Sequence, residues 1–351
     1  MTEENNQTPN HKQNEKSANE ASFRSLNIPE LNTGKLFFLG SLAFLFATIE
    51  PFALFASIPF TLSFLLYGKM KTFGMGLLGT LVAIALMQSK AYQGSAMGTY
   101  PLSLLYGLLI SQSIIRKEHP LRGITVNGLG VFAIIATAII FVNFSSKNGI
   151  EGLLTPFVEE TVGQYLKSLE STVGAQGEQL RQLKDVMRNP ALIVKPIINY
   201  GLGFIFVGVM LSFWVGTFVA LRLSVLWKPF HSYRYDIKAL TSFQVPYYLI
   251  YFLIVGLFLT VGSSFELFGP TVEVVGYNIL LMLGIFYFFQ GFGILSELLT
   301  YWRFFGFFRS MIIFFTVITG YHVIALVGVL DTWVNFRRFF VPKTKDESND
   351  E

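Results

Sequence analysis

Five polar residues stand within long apolar runs or at their edges: Glu50, Asn278, Gln290, His322 and Asp331. Polar groups are costly in a bilayer, so each is a candidate for ligand binding, proton handling or bonding between helices. Glu50, in "TIEPFA", can face a cavity and accept a hydrogen bond from a ligand or a lysine. The plainer expectation is that "IEP" is the wet outer turn of a hairpin. Asn278 and Gln290 share the run "VVGYNILLMLGIFYFFQGFGILSELL". Their spacing corresponds to about 18 Å of helical rise and about 120° of rotation, so they do not share a line. Gly291 follows Gln290 and admits another backbone. Gln290 is expected to hydrogen-bond across helices rather than hold a ligand. His322, in "TGYHVIA", is a proton carrier only with a partner, and no carboxylate lies within a turn.

Asp331 belongs to "GVLDTWVNFRR". Asp331, Asn335 and Arg338 fall at i, i+4 and i+7, on one helical face. Trp333 and Arg337 are four apart, a spacing that permits a cation–π contact. Asp331 is expected to be a polar anchor where the last helix leaves the bilayer, with a ligand site as the alternative. Trp333, Asn335, Arg337 and Arg338 are the other anchors of that end. Arg222 closes an earlier run and can snorkel to the interface.

Nothing in the sequence forms a catalytic constellation. The histidines His11, His119, His231 and His322 are isolated, and no phosphate loop or nucleophile elbow occurs. With no cysteine, thiolate catalysis, disulfides and cysteine metal sites are excluded. A protein that is not an enzyme, with no cofactor and no metal, is expected. "GMGLLG", Gly74 to Gly79, superficially resembles a nucleotide fingerprint, but it lies in an apolar run where glycines serve close packing.

The elements that must position these residues are membrane helices. The chain has 351 residues, 52% of them hydrophobic and only 14% charged, with a mean hydropathy of +0.52. Soluble domains carry about 25% charged residues. An all-α integral membrane protein follows, a polytopic helical bundle of about eight transmembrane segments. They fall near 36–67, 73–89, 95–115, 123–144, 197–222, 243–263, 274–298 and 308–335. The first is broken at Glu50-Pro51 and again at Pro59, giving either a tight hairpin or a long broken helix. Pro246 is placed in the first turn of the sixth, with Tyr247, Tyr248 and Tyr251 as an interfacial belt.

The expected organisation is a disordered polar tail (1–35), first membrane helices (36–144), an amphipathic helical loop (145–196), second membrane helices (197–338) and a polar tail (339–351). The loop carries six acidic and six basic residues. Thr155-Pro156 predicts a helix start, and Leu154, Val158, Val162, Tyr165, Leu166 and Leu169 recur at helical spacing. Leu180, Leu183, Val186 and Met187 predict a second amphipathic stretch. Lys and Arg cluster in alternate short loops, which puts the amino terminus in the cytoplasm and the long loop outside. Basic residues after 336 break that alternation, unless the last segment folds back near Gly320. The bilayer is the expected partner, with other membrane proteins as further candidates; no nucleic-acid stripe exists.

The stretches "YNILLMLGIFYFFQGFGI" and "GVLDTWVNFRR" resemble the YybS-like bacterial multi-pass membrane proteins. The matching pattern is Asn278, Phe289-Gln290-Gly291, Gly328, Asp331, Trp333 and Phe336-Arg337, with "SFQVPYYLIYFLIVGLFL" upstream. The likeness is strongest over 200–340. It implies the bacterial cytoplasmic (inner) membrane and kinship with substrate-capturing subunits of energy-coupling-factor vitamin transporters and with a cell-shape membrane protein. It also implies a compact bundle with a cavity open to the outside. Those subunits often dock a partner through small residues on the first helix, and Ala43 and Ala47 have that spacing. The family has no agreed catalytic residues. Two functions are expected: binding or transport of a small solute without an ATPase of its own, or a non-catalytic scaffold in the envelope.

Overall fold

The computed structural model describes residues 32–88, 96–173 and 189–340. The amino-terminal tail to residue 31, the stretch containing Leu180 to Met187 and the tail from 341 lie outside the described residues. Most of those described are helical, and no strand occurs among them. The α-helices are α1 (Thr33–Thr48), α2 (Ser57–Tyr67), α3 (Lys69–Gln88), α4 (Ala96–Ile115), α5 (Pro120–Ser145) and α6 (Gly149–Val173). They continue with α7 (Ala191–Arg222), α8 (Ser224–Trp227), α9 (Ile237–Thr241), α10 (Leu249–Ser264), α11 (Pro270–Tyr301) and α12 (Gly306–Val334). Among the described residues, five helices are long and apolar enough to cross a membrane: the Lys69–Leu86 part of α3, then α5, α7, α11 and α12. An all-α membrane protein is the result. The chain forms two compact units, Met1–Glu118 with Val215–Arg234, and His119–Trp214 with Tyr235–Glu351.

In the first unit, the expected break is present. A 3-10 turn, Glu50–Phe55, separates α1 from α2. At 1.5 Å per residue, α1 and α2 rise only about 24 and 16 Å, short of an apolar core about 30 Å thick. They pack on each other instead, with Leu36, Ala43, Ala47, Phe60, Phe64, Met75, Tyr100 and Leu104 in one core. The open carbonyl of Ala47 near the end of α1 accepts the Thr99 hydroxyl at 2.9 Å. Ala43 and Ala47 are fully buried by this packing. They are therefore covered by their own unit and are not a free docking stripe. A Cβ on Gly76 would press on Leu104 and one on Gly79 would overlap the Tyr100 hydroxyl, whereas Gly74 has open space. Packing thus explains two of the three glycines in "GMGLLG".

In the second unit, α6 begins at Gly149 and runs through Pro156, so Thr155-Pro156 is not its start. Asn143 makes the earlier start possible: its Oδ1 accepts from the Ile150 N–H at 3.1 Å, and Gly149 supplies a φ of 60°. The expected stripe is real where described, since Val158, Val162 and Leu166 bury against Val194, flanked by Leu154 and Ile193. The side chains of Tyr165 and Leu169 lie outside the described residues. Likewise α10 starts at Leu249, leaving Pro246 ahead of the helix rather than in its first turn. Gly320 has non-helical angles (φ −123°, ψ 22°), which kink α12 without ending it. The α10–α11 crossing is close: a Cβ on Gly276 would stand 2.9 Å from the Gly256 carbonyl oxygen.

Candidate functional site

A polar constellation sits where α11, α12 and the stretch before α10 meet. Gln290, on α11, is 3% exposed and Asp331, on α12, 5% exposed. Buried polar groups at this depth need partners. Gln290 Oε1 accepts from the Val245 N–H at 2.8 Å, and its Nε2 donates to Asp331 Oδ2 at 2.8 Å. Asp331 Oδ1 accepts from the Phe336 N–H at 2.6 Å. Because Val245 can only donate, the orientation of the Gln290 amide is fixed, and its NH2 must face the carboxylate.

The helix stops before the expected face can form. Val334 is its last residue, and Asn335 turns left-handed (φ 49°, ψ 65°), its N–H still bonding to the Asp331 carbonyl. Phe336–Phe339 is a 3-10 turn. Arg338 therefore does not pair with Asp331 and instead lies over the Phe339 ring at 4.9 Å. Arg337 points inward rather than along the helix to Trp333. Its Nη2 donates to the carbonyls of Thr241 at 3.0 Å and Phe243 at 2.9 Å, and its Nη1 is 3.4 Å from Glu297 Oε1. Trp333 and Asn335 are exposed.

The geometry has a clear local logic. Residues 242–248 are irregular, and their backbone polar groups need partners that a helix would otherwise provide. Gln290 takes the Val245 N–H, and Arg337 takes the Phe243 carbonyl together with that of Thr241, the last residue of α9. Close approach makes this possible. A Cβ on Gly291 would overlap the Ile324 carbonyl oxygen, and one on Gly328 would overlap that of Tyr287. Gly293 similarly admits the Thr241 carbonyl and the Arg337 guanidinium. Glu297 is absent from the sequence-based candidates, although an acid within an apolar run is itself a signal.

Asn278 works separately, nearer the start of α11. Its Oδ1 accepts from the Gly203 N–H at 2.9 Å, and its Nδ2 donates to the carbonyls of Asn199 at 2.7 Å and Val274 at 2.8 Å. Gly203 and Asn199 are the i and i−4 groups that an α-helix joins. The carboxamide thus acts as a side-chain clamp on one rung of α7. Asn278→Leu is expected to cost only about 1 kcal/mol in thermal unfolding, because that rung can close on itself.

The remaining candidates do not converge. His322 is exposed on α12 with its ring against Tyr321 at 3.7 Å. Arg222 is exposed at the end of α7. Glu50 opens the 3-10 turn, and its side chain lies outside the described residues. No group of three or more metal-ligating residues occurs among the described residues.

Neither the curated proteins nor the solved structures contain a match. The family described as "Predicted membrane protein (DUF2232)" matches residues 36–332, which include Asn278, Gln290, Gly291, Gly328 and Asp331 and end just before the 336–339 turn. The chain belongs to this family of membrane proteins.

Proposed function

We propose that this protein is a non-catalytic scaffold or assembly partner of the bacterial inner membrane, with its amino terminus in the cytoplasm. The observation that carries this reading is the use made of the buried polar groups. Asn278, Gln290, Asp331 and Arg337 all bond to helices and backbone of their own unit. They build a rigid bundle rather than line a receptacle. The surface left for a partner is the outer side of α6, where Leu153, Phe157, Glu160 and Gln164 recur at helical spacing and are exposed. A photo-crosslinking residue at position 157 should give a discrete protein adduct in cells, whereas one at Ile318, exposed on α12, should give lipid adducts. Only lipid adducts at both positions would sink the scaffold reading.

One observation favours solute binding. Ser57 Oγ, Ser63 Oγ and Thr72 Oγ1 are buried without a hydrogen-bond partner beside the broken first segment. That break fits the compact bundle with an outward-open cavity that the resemblance to vitamin-capturing subunits implies. Thermal unfolding across a panel of vitamins and nucleobases tests it, and a flat response would remove this alternative.

A further inference from the structure

We propose that the first unit carries a binding site for a phosphate-bearing anion at the end of α4, in a cavity of about 740 Å³ lined by Lys117, Lys228, His231, Ser232, Tyr233 and Arg234. Among the described residues no acid lines it. Lys117, Lys228 and Arg234 around one recess form an attractor for a doubly charged oxyanion, and the serine hydroxyl adds a donor.

The recess is built rather than incidental, because the backbone around it and two of its rings are held in place. Trp227 is fully buried and donates from Nε1 to the Ala220 carbonyl at 2.8 Å. The next residues wrap over it, with Lys228 N–H bonding to the Ser224 carbonyl at 2.8 Å and Phe230 N–H to that of Trp227 at 3.0 Å. His231 Nε2 meets the Leu65 carbonyl at 2.8 Å. A carbonyl only accepts, so Nε2 holds a proton and the bond fixes the ring as a wall of the recess. Tyr233 donates its hydroxyl proton to the Glu118 carbonyl at 2.9 Å, tying the 228–234 loop to the end of α4.

Lys117 forms the opposite wall. It ends α4 in a Schellman arrangement: its N–H bonds to the Ile114 carbonyl at 3.0 Å, and the Glu118 N–H bonds to that of Ser113 at 3.0 Å. Its φ is 60°, a conformation that glycine adopts without strain. Lys117→Gly therefore removes the cation without harming the cap, which separates binding from folding.

Two sources present this chemistry, the headgroup of an anionic lipid and a free phosphate ester. The full chain is purified in detergent with mixed phosphatidylcholine and phosphatidylglycerol, and the lipid it retains is measured by native mass spectrometry, with and without added inorganic phosphate. The wild type should retain phosphatidylglycerol selectively. Lys117→Gly and the double variant Lys228→Gln/Arg234→Gln should lose it roughly fivefold per cation removed. Lys71→Gln, an exposed lysine outside the cavity, should behave as wild type. The melting temperature of Lys117→Gly should match or exceed that of the wild type. Displacement by inorganic phosphate would show that the site takes the phosphate group from either source, and resistance to it would identify the lipid headgroup; both support the site. Undiminished retention in both cavity variants, or an equal loss in Lys71→Gln, would overturn it.

Discussion

Gly291→Ala is expected to destabilise the protein by about 3 kcal/mol or more, although the same exchange at an ordinary helix position is favourable. Alanine is the better helix former by about 1 kcal/mol. At Gly291, however, the new methyl overlaps the Ile324 carbonyl oxygen of α12, a backbone atom that cannot swing aside. The contact is reciprocal, since a Cβ on Gly328 would overlap the Tyr287 carbonyl oxygen and stand 2.9 Å from the Gly291 nitrogen. Relief requires α11 and α12 to separate, which also pulls Gln290 away from Asp331. At Gly284, seven residues earlier on α11, a methyl would meet nothing within 4 Å. Gly284→Ala should therefore be neutral or slightly stabilising. Thermal unfolding of both variants in detergent checks the claim, and equal effects at the two positions would contradict it.

Asp331→Ala should cost about 2–4 kcal/mol, because a buried donor and a part-buried one lose their acceptor, at about 1–3 kcal/mol for the first and about 1 kcal/mol for the second. The orphans are Gln290 Nε2 and the Phe336 N–H. Asp331→Asn is more diagnostic because it preserves shape. Its oxygen can still accept from Phe336, but its NH2 then faces that of Gln290. Flipping Gln290 does not help, since its NH2 would then face the Val245 N–H. One bond is lost in either arrangement, at about 1–3 kcal/mol. The double variant Gln290→Glu/Asp331→Asn restores every donor–acceptor pair, with the carboxylate moved to α11. Recovery of stability in the double variant is the expected result, and additive losses would show that the bonds matter less than the shape of the residues.

The parts of this structure that were legible in sequence are those decided locally. Glu50-Pro51 signals a break because proline removes an N–H wherever it stands. Gln290 beside Gly291 signals a helix crossing because polarity needs a partner and glycine admits one. The role of Arg337 was hidden. Helical spacing assigned it to Trp333, but the helix ends at Val334 and Asn335 reverses its course. Asparagine is among the residues that adopt a left-handed helix cap, so the end was readable in principle. The acceptors were not: Thr241 and Phe243 offer backbone carbonyls 96 and 94 residues away, and carbonyls leave no trace in a sequence. Ala43 and Ala47 failed differently. Small-residue spacing indicates that something packs closely there, but not whether the neighbour belongs to the same chain.

The stretch before α10 has a consequence for biogenesis. Its Val245 N–H is answered by α11, and its Thr241 and Phe243 carbonyls by Arg337. During synthesis, those groups emerge long before the residues that satisfy them. The segment must wait at a hydrated surface or in the insertion machinery until the end of α12 has been translated. Arg337 then acts as a closing stitch, and a nascent chain stalled before it should leave 241–245 open to protease while α5 and α7 are already protected.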